Sequence, residues 1–335
     1  MSEAVFLHRD DDNVVTVAPA GAPTVHDPAI GLDTLVLEVI GGHLSWSLLS
    51  GQRIPAAVLH DPEAAQDWLW AVYGEPVALA VADDRTGELP AAAALPELTE
   101  AAWQLGYAHW AAHWWPASTI DGIPALDPDV LARDIAALTE SCDAITDGAD
   151  AQPPPRPSAA APARRQDYAL AAGSATGTGR PGLVLATGTA GWDWRRCPPG
   201  IVDASEYAVS WRLTRDAGST TVDVHAAAAP QLDTGLPAHL WPRARVVTRS
   251  LTLDLPLRLD GDTWTGTTRT DAEEVVRVDL HVPAVGPAIT GPSAPAYGPA
   301  QRQRIRDFVV SRLRAPRSAP RLEAEIAAAA SDSDF

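Results

Sequence analysis

His109 and His113 stand four apart in the run HWAAH. On a helix this spacing puts both imidazoles on one face, the arrangement by which two histidines share a metal ion. Glutamate is missing from the second position, so the zinc-protease pattern HExxH and its general base are absent. A metal reading therefore needs a third ligand from another segment, and ordinary packing or capping on an amphipathic helix explains the pair without one. A second group is Trp192-Asp193-Trp194-Arg195-Arg196-Cys197, followed by Pro198-Pro199-Gly200. Arginines beside tryptophan suit a carboxylate or a partner loop, and they lower the pKa of a neighbouring thiol. A nucleophilic cysteine also needs a base and an oxyanion hole, and neither stands nearby in sequence. The competing reading is a tryptophan-anchored loop between strands.

Weaker signals complete the set. Asp10-Asp11-Asp12 offers carboxylates, but three adjacent ones do not converge on a cation without a special loop, and a solvated turn is expected. His43, Ser45 and Ser47 share one strand face, which a half-solvated sheet explains. Gly177, Gly179 and Gly182 match GxGxxG, yet Pro181 and then LVLAT follow where a dinucleotide site needs a helix, so a hairpin loop is expected. His225 and His281, with Asp223 and Asp279, fall in the outward phase of two strands.

Composition narrows the chemistry. All 25 basic residues are arginine, and the absence of lysine removes the P-loop, protein-kinase and Schiff-base mechanisms, each of which needs that amine. The only cysteines, Cys142 and Cys197, form no metal-binding or disulfide pattern. No run approaches the roughly 18 apolar residues of a membrane span. The opening residues lack a signal-peptide pattern, so a cytoplasmic location is expected. Residues 1–148 hold 23 acidic residues against four arginines, net −19, while 149–335 hold 20 against 21, net +1. Such a field opposes nucleic acid and anionic membrane and favours basic partner surfaces or plain solubility.

These residues need elements to position them. Residues 1–147 read as an acidic α+β domain, a small sheet with a hairpin and about three helices. Alternating runs 34–40 and 43–49 meet at Gly41-Gly42, a hairpin signal. Asp61-Pro62-Glu63 caps a helix over 62–73, and Pro76 to Ala82 reads as a short strand. From Pro96, Trp103, Tyr107, Trp110 and Trp114 form one stripe on a helix ending at Trp115-Pro116. Asp127-Pro128 starts a further helix with Leu131, Ile135, Leu138, Cys142 and Ile145 inward, which makes Cys142 an inert thiol.

The stretch 148–166 is rich in proline and alanine and reads as a linker. Residues 167–298 show about eight alternating strands and read as a β-sandwich, of immunoglobulin-like type at the finest reading. Pro256 places the run Leu251 to Leu259 at an edge. An arginine-rich amphipathic helix spans 299–321, and 322–335 form an acidic tail. Docking of that helix on the acidic domain is expected from charge, with an external acidic partner and packing of Phe308 and Leu313 on the sandwich as the alternatives.

The leading functional expectation is a non-catalytic, two-domain interaction or adaptor protein of a cytoplasmic multi-protein system, binding protein partners and using no cofactor. Trp192, Trp194, Arg195, Arg196, Arg302, Arg304, Arg306, Phe308, Arg312 and Leu313 are its candidate contact residues. The alternatives are an enzyme built on His109 and His113 or on Cys197, and a small-molecule or carbohydrate module using tryptophans.

Overall fold

The computed structural model describes residues 3–10, 12–27, 30–146, 182–232, 235–287, 298–316 and 319–332. Among these are six α-helices and 14 strands in three antiparallel sheets, a mixed α+β chain rich in strand. The chain divides into two units: Met1–Trp115, Leu126–Pro154 and Pro295–Phe335 in the first, Pro116–Ala125 and Pro155–Ala294 in the second. The expected linker 148–166 lies outside the described residues, as do Gly177 and Gly179.

In the first unit, β1 (Glu3–Arg9), β2 (Val15–Pro19), β3 (Thr34–Val39), β4 (Gly42–Ser47), β5 (Ala56–Leu59) and β6 (Gly87–Ala91) form one sheet. Its order is β3-β4-β5-β2-β1-β6. The β3–β4 hairpin follows its sequence pattern, with Leu35, Leu37, Leu44 and Trp46 buried. Gly41 turns it at φ +78°, and a Cβ there would run into the carbonyl of Asp61. The Asp10 carboxylate accepts from the amides of Asp12 and Val14, as a solvated turn between β1 and β2 would have it.

Around this sheet are α1 (Gln66–Tyr73), α2 (Glu75–Ala82), α3 (Pro96–Trp114) and α4 (Pro128–Ser141), together with α5 (Pro299–Leu313) and α6 (Glu323–Asp332). The run from Pro76, expected as a strand, is therefore helix α2, and the strand comes later as β6. A short apolar run fits a buried helix as well as a strand. Gly74 at φ +85° ends α1 and lets α2 start at once, with Pro76 in its first turn. The Asp61 carboxylate accepts from Ala64 N at 3.0 Å, but regular helix begins only at Gln66. Within the stretch expected as an acidic tail, Glu323–Asp332 form helix α6. Leu322 and Ala324 are buried, and Glu325 finds a counter-charge inside the unit.

Helix α3 lies directly on the sheet. A Cβ on Gly106 would stand 3.6–3.9 Å from Trp46, Leu35 and Leu37, ordinary contact distances. Along the aromatic stripe Trp103 stacks on Tyr107 at 5.3 Å and Tyr107 on Trp110 at 5.7 Å, and the Trp110 indole N–H donates to the Leu32 carbonyl. Asp127 caps α4 by accepting from the amides of Asp129 and Val130. Cys142 is buried and its thiol is pushed up to about 11.

In the second unit, β7 (Leu183–Ala190), β8 (Val209–Asp216), β9 (Ser219–Ala227), β10 (Arg243–Thr248), β11 (Thr252–Pro256), β12 (Arg258–Asp260), β13 (Thr263–Thr270) and β14 (Val275–His281) form two sheets. Their orders are β11-β10-β14 and β12-β13-β9-β8-β7. The run read as one strand from Leu251 to Leu259 changes sheet at the buried Leu257. Gly266 on β13 makes room for this corner, since a Cβ there would come within 2.7 Å of Leu257. Pro256 lies on an outer strand, as the edge argument requires. Strands β10, β11/β12 and β13 follow one another and β14 returns beside β10, the order of a Greek key spread over both sheets.

Two irregularities break the simple alternation. Val247 pairs with Arg277 and Thr248 with Val275, so Val276 is the extra residue of a bulge and is 59% exposed. Tyr207 stands before β8 and is exposed. His281 is buried, not outward, 4.0 Å from the Asp254 carboxylate, and burial lowers its pKa. Among the described residues no helix is long and apolar enough to cross a membrane.

Candidate functional site

In the second unit the densest polar grouping surrounds Asp203, which lies between Trp192 and β8 in sequence and is fully buried. Its Oδ1 accepts from the Ser118 hydroxyl at 2.6 Å and the Ser205 amide at 3.0 Å. Oδ2 accepts from the amides of Thr119 at 2.7 Å and Ile120 at 3.4 Å. Burial raises the pKa of this carboxyl, and the four donors oppose that rise. The Ser118 oxygen also accepts from the Asp121 amide, and the Ser205 hydroxyl donates to the Asp121 carboxylate at 3.1 Å. The Trp192 indole donates to the Asp203 carbonyl at 3.0 Å. Loop 116–125 is thereby tied to segment 203–207 by neutral donors around a negative group. Ser118 next to a carboxylate has the outline of an activated hydroxyl, but the residue is 1% exposed and, among the described residues, no imidazole is bonded to it.

In the first unit the corresponding grouping is Tyr107, Arg312 and Glu325. Glu325 is fully buried and takes Arg312 Nε and Nη2 on its two oxygens, both at 2.6 Å. Tyr107 donates to the same carboxylate at 2.7 Å, and so does the Leu322 amide at 3.0 Å. The guanidinium lies 4.3 Å from the Tyr107 ring centre, with Phe308 edge-on to that ring. Burial works against the charge on Arg312, but the bonds to Glu325 outweigh it and its pKa is raised. Burial and then the Glu325 charge push the Tyr107 hydroxyl up. This cluster fastens α5 and α6 to α3. Asp134 adds a further tie, accepting from the Ala324 amide at 2.9 Å.

A third grouping is histidine-rich. His43 on β4 and His60 after β5 have ring centres 5.5 Å apart, and His26 lies 5.9 Å from His60. The Nδ1 of His43 is buried and has no hydrogen-bond partner among the described residues. Among the described residues, no three or more His, Cys, Asp or Glu side chains are placed to hold a metal ion.

The residues singled out in the sequence fare unevenly. The His113 Nδ1 sits 2.9 Å from the His109 carbonyl, so one ring nitrogen is engaged by the backbone of its own helix. Trp192 and Trp194 are buried and present no surface to a partner, because both indoles fill the core of their unit. Arg195 is held by Asp193 through two bonds of 2.9 and 2.8 Å, and the Arg196 carbonyl accepts from Val282. Cys197 is buried and its thiol is pushed up to about 12, the opposite of an activated nucleophile. Arg302 and Arg306 are buried, Arg312 is paired inward, and Phe308 packs on Tyr107. Of that helix's arginines named above, Arg304 is the exposed one. Sequence reasoning passed over Asp203, Ser118 and Glu325. Asp203-Ala-Ser205 carries a local turn signal, but nothing near Glu325 in sequence marks it as a buried ion.

The chain matches no protein-family model, no curated protein and no solved structure.

Proposed function

We propose that the chain is a non-catalytic interaction protein of the cytoplasm, with an acidic α+β module that engages a basic protein surface and a β-sandwich module as its second part. One observation carries this reading. The first unit includes the arginine-rich α5 and still holds 28 acidic residues against 11 arginines, a net of −17. Buried Arg302 and Arg306, and Arg312 paired with Glu325, turn positive charge inward. The outward field is left acidic, which attracts cationic partners and speeds their encounter. The elevated thiols of Cys142 and Cys197 fit a role without covalent chemistry.

The test uses the full chain and an arginine-rich peptide, with the same peptide carrying glutamine for arginine as control. The cationic peptide should bind the tighter by at least about tenfold at low salt. The difference should collapse as the Debye length falls from about 10 Å at 0.1 M to about 3 Å at 1 M. Equal binding of the two peptides, with no stoichiometric protein copurifying from cells, overturns the proposal.

A further inference from the structure

Each half of the sequence lends one segment to the unit that the other half builds. The loop Pro116–Ala125 stands between α3 and α4, yet it belongs to the second unit, whose other residues run from Pro155 to Ala294. In return α5 and α6, near the far end of the chain, belong to the first unit, whose other residues end at Pro154. The loop is folded on itself and held. Ser118 and Ile123 exchange backbone hydrogen bonds of 2.9 and 2.8 Å, with Gly122 turning between them at φ +67°. Both are buried, and the Ala117 carbonyl accepts from the Ala204 amide at 3.2 Å beside the bonds to Asp203. The helices are held by Ile305, Val309 and Leu322, which are buried, and by Phe308 and Glu325, which meet Tyr107.

We propose that the two halves of this sequence are each other's binding partner, so that a backbone cut between Thr146 and Gly182 leaves one noncovalent molecule and not two free modules. The unsatisfied groups of a separated half carry the argument. Without the loop, Asp203 keeps only the Ser205 amide of its four donors. Without α5 and α6, the Tyr107 hydroxyl loses its acceptor and Asp134 loses the Ala324 amide. Each loss costs free energy that reassociation restores. The two ties run in opposite directions and share no residue, so one holds the halves together while the other opens. Such a double attachment exceeds the affinity of either tie by about 10²–10⁴.

The test is the full chain with a specific protease site inserted between Ala159 and Ala160, cut after purification. At about 1 µM, where only partners with a Kd below that value stay together, the cut chain should sediment as one particle with the mass of the uncut chain. Separation into two particles overturns the proposal. Exchange of a fluorescently labelled half against an excess of unlabelled cut chain then reads the dissociation rate. Ser118→Ala and Phe308→Ala each remove one contact of a tie, and sedimentation and circular dichroism of the uncut variants check that they fold. Each should speed exchange about tenfold, and both together about a hundredfold. If neither substitution speeds exchange, other contacts hold the halves and the proposal falls.

Discussion

Glu325 and Asp203 are the fully buried carboxylates among the described residues, and the two units satisfy them differently. Glu325 faces a full counter-charge, Arg312, and a phenol. Asp203 faces a hydroxyl and three backbone amides. An ion pair concentrates its stabilisation in one partner, so losing that partner strands a buried charge. A cradle of neutral donors spreads the work, and losing its centre leaves only uncharged groups unsatisfied. The first unit's fastening is therefore brittle, and the second's is graded.

The largest expected effect is in the first unit. Arg312→Ala leaves Glu325 buried without its counter-charge and should destabilise by about 3–5 kcal/mol in denaturant unfolding. Replacing both ions together, Arg312→Met with Glu325→Leu, should cost much less. A double variant as unstable as the single one breaks the comparison. In the second unit Asp203→Ala leaves four donors without an acceptor and should cost about 2–3 kcal/mol. It should also loosen loop 116–125, read as faster amide exchange at Thr119 and Ile120.

Acidity separates the two further. The folded pKa of Asp203 is raised, so the stability it contributes is present at low pH and is lost as pH rises through that pKa. The native chain should therefore gain on Asp203→Asn as pH falls from neutral into the acid range. Arg312, whose pKa the bonds to Glu325 raise against the effect of burial, contributes stability that is lost only in strong alkali, so the gap to Arg312→Ala attributable to that titration stays level over the same window. The smallest effect has the opposite sign. Gly106→Ala in α3 meets its neighbours at ordinary contact distance and should stabilise the chain by about 0.5–1 kcal/mol through helix propensity.

Much of the architecture is legible locally. The alternation around Gly41-Gly42 specifies β3–β4, because a two-residue period with a turn between has one way to bury Leu35, Leu37, Leu44 and Trp46. Asp127-Pro128 marks α4, and Pro256 marks an edge. The misreadings are equally local in origin. The run from Pro76 is apolar on all sides, so its period says nothing, and Gly74 decides it by turning one helix into the next. Val276 falls out of the alternation of β14 because a bulge in the β10–β14 ladder shifts the phase by one residue.

Composition by itself determined that lysine chemistry is excluded, that the acidic charge is concentrated toward one end of the chain, and that the aromatic stripe of α3 lies along one helix face. Those follow from residue type and from periods of two and 3.6, which are properties of the chain near each residue. Which groups meet was decided by tertiary structure alone. Tyr107 and Glu325 are 218 positions apart, and Ser118 and Asp203 are 85 apart. Arg302, Arg306 and Arg312 of α5 read as a surface for a partner until the fold buries the first two and pairs the third with Glu325. Whether a charge faces water or a counter-ion depends on which segments pack together, and that is set by burial summed over the whole unit, not by the residues on either side.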